Sequence, residues 1–216
     1  MPHFMAKPTI YVLAGANGIG KTTVNPDFIP KEVPFINADD IAKQLRERLG
    51  EINVQELANS EAIDRMNELM AKRADFAIET NLADDETWQF LIGIQKVGYA
   101  VMLGFYATDQ VSICIERVKN RHLQGGHFVR PDIVVFRYET GLKLLRIYRA
   151  IPDKLFLIDN SGNTGIVFVE INHGLVVSQR SNQPTWVQLI LQKENILEQN
   201  AENLEEIKER YRKSKN

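Results

Sequence analysis

The sequence predicts an α/β fold, a parallel sheet of about five strands with helices on both faces, followed by a C-terminal β-hairpin and helix. Three observations predict it. Short apolar runs recur along the chain, stretches of helical periodicity separate them, and a glycine-rich loop follows the first run directly.

Residues 9–14 are a compact apolar run that ends at a glycine, the pattern of a strand buried on both faces. The loop at 15–22 leads into a helix expected to open near Lys21. Residues 33–37 read as a second strand. From Asp40, Ile41, Leu45 and Leu49 recur at helical spacing, and Gly50 supplies the stop. Residues 53–74 read as a long helix with Leu57, Ile63, Met66, Leu69 and Met70 toward the core. A third strand is expected at 76–80, a helix from about Asp84 to Lys96, and a fourth strand at 99–106. The next helix runs through Arg117 and is interrupted at Gly125-Gly126. Pro131 suits the first position of the following helix, which carries Ile133, Phe136, Leu142 and Leu145. Residues 154–159 are a fifth strand. Beyond Asn160, residues 165–170 and 174–178 read as a hairpin turning at Asn172-His173-Gly174, and 186–197 as a helix. The tail from Glu198 mixes charges densely, as a solvated face does. The expected organisation is a core at 1–160 with a lid around 117–138, and an appended segment at 161–216.

The 216 residues fit one domain. A net charge of −2 and a pI near 6.1 argue against a polyanion-binding surface, so no nucleic-acid partner is expected. The N-terminus lacks a signal-peptide pattern, and the longest apolar run, around 99–107, is far short of the ~20 residues of a membrane span. No membrane partner and a cytoplasmic location are therefore expected. Cys114, alone in its type, lies in the apolar stretch 111–115 and reads as a buried small hydrophobe.

Gly15-Ala16-Asn17-Gly18-Ile19-Gly20-Lys21-Thr22 matches G-x-x-x-x-G-K-[ST]. Glycines let the backbone curl so that its N–H groups point inward at phosphate oxygens, and the helix that follows aims its positive end at the same anion. Lys21 should reach the β- and γ-phosphates of ATP, and the Thr22 hydroxyl should meet Mg²⁺, with Thr23 completing the nucleotide-binding stretch. Such a loop between a buried strand and a helix implies a P-loop NTPase fold.

Two strand ends carry polar residues. Asn37-Ala38-Asp39-Asp40 closes the second strand and Glu79-Thr80-Asn81 the third. The carboxyl ends of strands line the ligand crevice of an open α/β sheet. A carboxylate there can take a proton from an attacking hydroxyl; alternatively Asp39 or Asp40 caps the next helix, and Glu79-Thr80-Asn81 is a plain turn. The segment 117–138 holds Arg117, Arg121, Arg130 and Arg137 around Gly125-Gly126-His127, with Tyr138 after Arg137. Arginines beside a glycine pair suit a lid that folds over a moving phosphoryl group, or else solvated helix faces.

Taken together, Gly15 to Thr22, Asn37-Ala38-Asp39, Glu79-Thr80-Asn81 and Arg117 through Tyr138 resemble the zeta-toxin family of P-loop kinases over roughly residues 9–160. The resemblance implies an adenylate-kinase-like fold and transfer of the γ-phosphate of ATP to a hydroxyl. Well-described members phosphorylate UDP-N-acetylglucosamine, so the implied acceptor is that compound or a related nucleotide sugar. Some members are toxins held in check by an antitoxin, which makes an antitoxin a candidate partner. Carried over by motif, Asp39 would be the base and Glu79 and Thr80 would touch substrate, with Asn37 and Asn81 beside them. Arg117 with Arg130 or Arg137 would clamp phosphates. The chain departs from the common pattern at Ala16, Arg130 and Glu139-Thr140-Gly141.

Two other classes compete with a kinase. Leu123-Gln124-Gly125-Gly126-His127 echoes the signature of an ABC-like ATPase, and 155–159 echoes a strand ending in a metal-binding Asp159. Asn160 stands where such an ATPase needs a catalytic glutamate. A non-catalytic nucleotide-binding module is the third reading.

Overall fold

The computed structural model describes residues 7–21, 28–50, 53–124, 126 and 128–192. Five parallel strands form the core of the sheet: β1 (Thr9–Ala14), β2 (Phe35–Ile36), β3 (Phe76–Thr80), β4 (Ala100–Ala107) and β5 (Lys154–Asp159). β6 (Ile166–Asn172) and β7 (Leu175–Gln179) then pair antiparallel, so the order is β2-β3-β1-β4-β5-β6-β7. The expected hairpin thus extends the same sheet, turning at His173-Gly174, both at positive φ. Six helices complete the described chain: α1 (Ala38–Leu49), α2 (Val54–Ala71), α3 (Asp85–Lys96), α4 (Val111–Leu123), α5 (Pro131–Tyr148) and α6 (Thr185–Leu191).

Side chains alternate across the strands and build a core on each face. Ile10, Val12 and Ala14 of β1 join Val101, Leu103 and Phe105 of β4 in a large cluster. Residues of α1, α2 and α3, the C-terminal half of α5 and α6 cover that cluster. Leu13 and Tyr106 face the other way, into a smaller cluster with Ile19, Cys114, Val118 and Val134. Cys114 is a buried free thiol whose pKa burial pushes up to about 11.

Several expectations need correction. The second strand has only two residues, because the chain turns into α1 at Asn37. In α2, Leu57 and Ile63 are 47% and 53% exposed. The helix instead buries Val54, Ala58 and Ala62, spaced four apart, which lets α1 pack closely on small side chains. In α5 the buried positions are Val134, Thr140, Gly141, Leu144 and Leu145; of the four expected core residues, Leu145 is buried and Ile133, Phe136 and Leu142 are half-buried. α6 ends at Leu191, and the remainder of the expected 186–197 helix lies, from 193, outside the described residues. No helix among the described residues is long and apolar enough to cross a membrane.

The topology fixes where a site belongs. β1 lies between β3 and β4: the chain runs from β1 out to the edge strand β2, returns through β3, and crosses over β1 to reach β4. The crevice at the carboxyl end of such a strand is the expected ligand site in a parallel sheet.

Candidate active site

The glycine-rich loop leaves β1 at that crevice. Gly15 has φ +136° and Gly18 φ +79°. A Cβ on Gly15 would collide with the Tyr106 carbonyl, and one on Gly18 with the Cys114 carbonyl of α4. Both positions need glycine for conformation and for room, which is why the loop can lie flat across β4 and α4. The Ile19 side chain is fully buried and its N–H donates to Ala16 O at 3.2 Å, so the loop is pinned from within.

Lys21 is only 6% exposed. Its ammonium donates to Gly15 O at 2.7 Å and Ala16 O at 3.2 Å, and lies 3.3 Å from Glu79 Oε1 at the end of β3. Burial pushes the Lys21 pKa below the usual lysine value, while the Glu79 carboxylate and then Asp39 oppose that shift. Glu79 Oε2 also accepts from Asn37 Nδ2 at 3.1 Å. Asn37 Oδ1 in turn accepts from the Asp39 N–H at 2.9 Å. The helix cap is therefore Asn37, not Asp39 or Asp40, and both aspartates fall in the first turn of α1. One asparagine orients the start of α1 and ties it to the carboxylate that holds Lys21.

Two cavities meet here. One, of about 430 Å³, lies over the glycine-rich loop and is lined by Lys21, Arg117, Arg121, Asn160 and Gly162 among others. The second, of about 770 Å³, lies between α1, α2 and the end of β3, and its lining includes Arg46, Asn53, Asn59, Thr80, Asn81 and Arg137. Asn17, Asp39 and Glu79 line both. Asp39 is solvent-exposed at this seam.

The arginines divide. Arg117 donates to Asn160 O at 2.9 Å, Gly162 O at 2.8 Å and Ile19 O at 3.3 Å, so it ties the turn after β5 to the glycine-rich loop. Arg121 lies one turn further along α4 and fronts the smaller cavity; its guanidinium has no hydrogen-bond or ion-pair partner among the described residues. Arg137 donates to Asn17 Oδ1 at 2.7 Å and fronts the larger one. The neighbouring Tyr138 hydroxyl, its pKa pushed up to about 12 by burial, donates to Thr108 O at 2.6 Å and fixes α5 against the end of β4. Arg130 lines neither cavity. Its guanidinium pairs with Asp132 at 2.6 Å on the surface, with its side chain 61% exposed. Thr22, Thr23 and His127 lie outside the described residues. Thr80 is partly occupied locally, since its hydroxyl oxygen accepts from the Leu82 N–H at 3.0 Å.

Asp159 does not reach either cavity. Its carboxylate accepts from the Trp186 indole N–H at 3.0 Å and the Ser161 N–H at 3.1 Å. Asn160, buried beside it, donates its amide to Ile19 O.

The sequence matches the zeta toxin family over residues 1–166, more than three-quarters of the chain. The chain belongs to the zeta toxin family. An uncharacterized protein of Haemophilus influenzae is 30% identical over 127 residues, which cover 57% of this chain and 88% of that one. Among solved structures, a chain of the PezAT chromosomal toxin–antitoxin system of Streptococcus pneumoniae superposes with a TM-score of 0.54 at 15% identity, covering 95% of this chain and 88% of that one. A chain of the AvrRxo1-ORF1:-ORF2 complex solved with ATP gives a TM-score of 0.59 at 13% identity, covering 85% and 62%. At such identities the likeness is one of fold. This zeta toxin family chain therefore has the P-loop kinase-like fold, with an antiparallel hairpin added to the sheet.

The site residues that sequence reasoning missed come from tertiary packing. Arg46, Gln55 and Asn59 face the larger cavity only because α1 and α2 fold over it, and no local motif marks them. Arg121 is one of the four arginines the sequence singles out, although the phosphate clamp was expected from Arg117 with Arg130 or Arg137; it follows Arg117 by one helical turn and so shares its face.

Proposed function

We propose that this protein is a kinase that transfers the γ-phosphate of ATP to a hydroxyl of a small polar acceptor, a nucleotide sugar such as UDP-N-acetylglucosamine being the first choice. The observation that carries the reading is the seam: Asp39 and Glu79 border both the cavity over the glycine-rich loop and the larger polar one. A site for two substrates that must exchange a group needs such a junction.

The glycine-rich loop fits a polyphosphate, since its curvature depends on two glycines that no side chain could replace. Mg²⁺ brought with the nucleotide neutralises phosphate charge, and the Thr22 hydroxyl is the residue proposed to meet it. Lys21 binds the β- and γ-phosphates as a buried cation. The acceptor lies in the larger cavity, held by Asn37, Glu79, Thr80 and Asn81, with Arg137 at its edge. The Asp39 carboxylate takes the proton of the attacking hydroxyl as the new O–P bond forms. The bond from the γ-phosphorus to the β–γ bridging oxygen breaks, and ADP leaves. Negative charge that grows on the moving group faces Arg121 as well as Lys21, while Arg117 holds the cavity wall. In this reading the lid role of 117–138 falls mainly to Arg121 and Arg137. The PezAT and AvrRxo1 likenesses, both from two-component assemblies, support an antitoxin as a protein partner.

The kinase reading is favoured over the ATPase reading because Asp159 lines neither cavity and its carboxylate accepts from Trp186 and Ser161. The test is incubation with Mg·ATP and a panel of nucleotide sugars, followed by mass spectrometry. A sugar that gains one phosphoryl group in step with ADP release is expected. ADP release at the same rate with and without every acceptor would contradict the kinase reading.

A further inference from the structure

The family match ends at residue 166, yet the chain beyond it reaches back to the nucleotide side of the site. The N-terminus of α6 docks on Asp109, whose carboxylate accepts from the Thr185 N–H at 3.0 Å and the Trp186 N–H at 2.8 Å. This places the Trp186 indole, 2% exposed, against the end of β5. Its N–H donates to Asp159 Oδ2 at 3.0 Å, while Oδ1 accepts from Ser161 N–H at 3.1 Å. The carboxylate thus shapes the turn from Asp159 to Gly162. That turn carries Asn160, whose amide holds Ile19 O of the glycine-rich loop, and the Asn160 and Gly162 carbonyls that Arg117 binds. Asn160, Gly162 and Asn163 form one wall of the smaller cavity.

We propose that Trp186 is a positioning residue for the nucleotide: through Asp159 it sets the turn that holds the glycine-rich loop and Arg117 in place. The inference rests on the nucleotide-binding reading of the smaller cavity. A buried carboxylate stripped of one of its two N–H donors seeks another, and a shift of Asp159 carries the adjoining Asn160, whose amide holds Ile19 O. Side-chain hydrogen bonds to a buried charge are strong enough for their loss to be felt in binding.

Trp186→Phe keeps an aromatic ring in place and removes only the indole N–H. Val187→Ala is the control, since Val187 is fully buried on the same helix but touches no part of the turn's hydrogen-bond chain. Binding of the non-hydrolysable ATP analogue AMP-PNP is measured by calorimetry for both, beside their thermal midpoints. Trp186→Phe is expected to weaken binding about tenfold, and Val187→Ala by less than about twofold despite an equal or larger fall in midpoint. Should Trp186→Phe not fold, Asp159→Asn, which keeps one acceptor oxygen and loses the other, is expected to weaken binding in the same direction. Unchanged affinity in the folded Trp186→Phe or Asp159→Asn variant, or an equal loss in Val187→Ala, would overturn the proposal. A wild-type protein that binds no AMP-PNP would remove the nucleotide reading itself, and the proposal with it.

Discussion

Lys21 and Glu79 form an ion pair at 3.3 Å where the glycine-rich loop meets the end of β3. Both groups are largely shielded from water, and each has a second tie: Lys21 to the loop carbonyls, Glu79 to Asn37. Breaking a shielded pair leaves one charge uncompensated, but here Asn37 still serves Glu79 when Lys21 is removed. Lys21→Ala is therefore expected to keep the fold, with a circular dichroism spectrum like that of the wild type, and to abolish phosphoryl transfer. Transfer at the wild-type rate would refute the assignment of the phosphate loop.

The contrast between Arg117 and Arg121 gives a second expectation. Arg117 is spent on four backbone carbonyls, those of Ile19, Asn160, Ser161 and Gly162, so Arg117→Ala should lower both the thermal midpoint and ATP affinity. Arg121 makes no such contacts among the described residues, so Arg121→Ala should leave the midpoint alone and reduce kcat by roughly 10²-fold or more. Steady-state kinetics with calorimetric Kd values separates the two. A stable Arg121→Ala enzyme with full kcat would return Arg121 to the solvated surface.

Cys114 supplies a third. Burial raises its pKa from 9.0 to about 11, so the folded chain holds a proton that the unfolded chain releases between those values. Stability contributed by the thiol is present below pH 9 and lost as pH rises through the folded pKa. The thermal midpoint should fall less steeply over this window in Cys114→Ala than in the wild type. At pH 8 the thiol should also resist alkylation until the protein unfolds. Rapid labelling of folded protein at pH 8 would contradict the burial.

Much of the fold was legible because it rests on local signals. The 9–14 run, the glycine spacing and the turn at His173-Gly174 each need particular residues whatever surrounds them. The interior of α2 was legible in part: Met66, Leu69 and Met70 pack against the core as expected, but close packing on α1 selects Ala58 and Ala62 over the exposed Leu57 and Ile63. The cap of α1 was misassigned because Asn37, Asp39 and Asp40 are all good cap residues, and only the bond to Glu79 shows why Asn37 takes the role. Lys21, Asp39 and Glu79 were legible as strand-end and motif residues. The bond from Trp186 to Asp159 was not, because it spans 27 residues and no sequence spacing encodes it.

Asp39, at the seam of two cavities, is the proposed base of a phosphotransferase. The most direct test is the single-turnover rate of phosphate transfer to the acceptor at saturating Mg·ATP, for wild type, Asp39→Asn and Asp159→Asn. Loss of a general base costs about 10²–10⁴ in rate. Asp39→Asn is expected to bind Mg·ATP almost normally and to transfer phosphate at least about a hundredfold more slowly, with Asp159→Asn far less affected. A normal rate in Asp39→Asn together with a dead Asp159→Asn would contradict the kinase account and favour an ATPase that works from the end of β5.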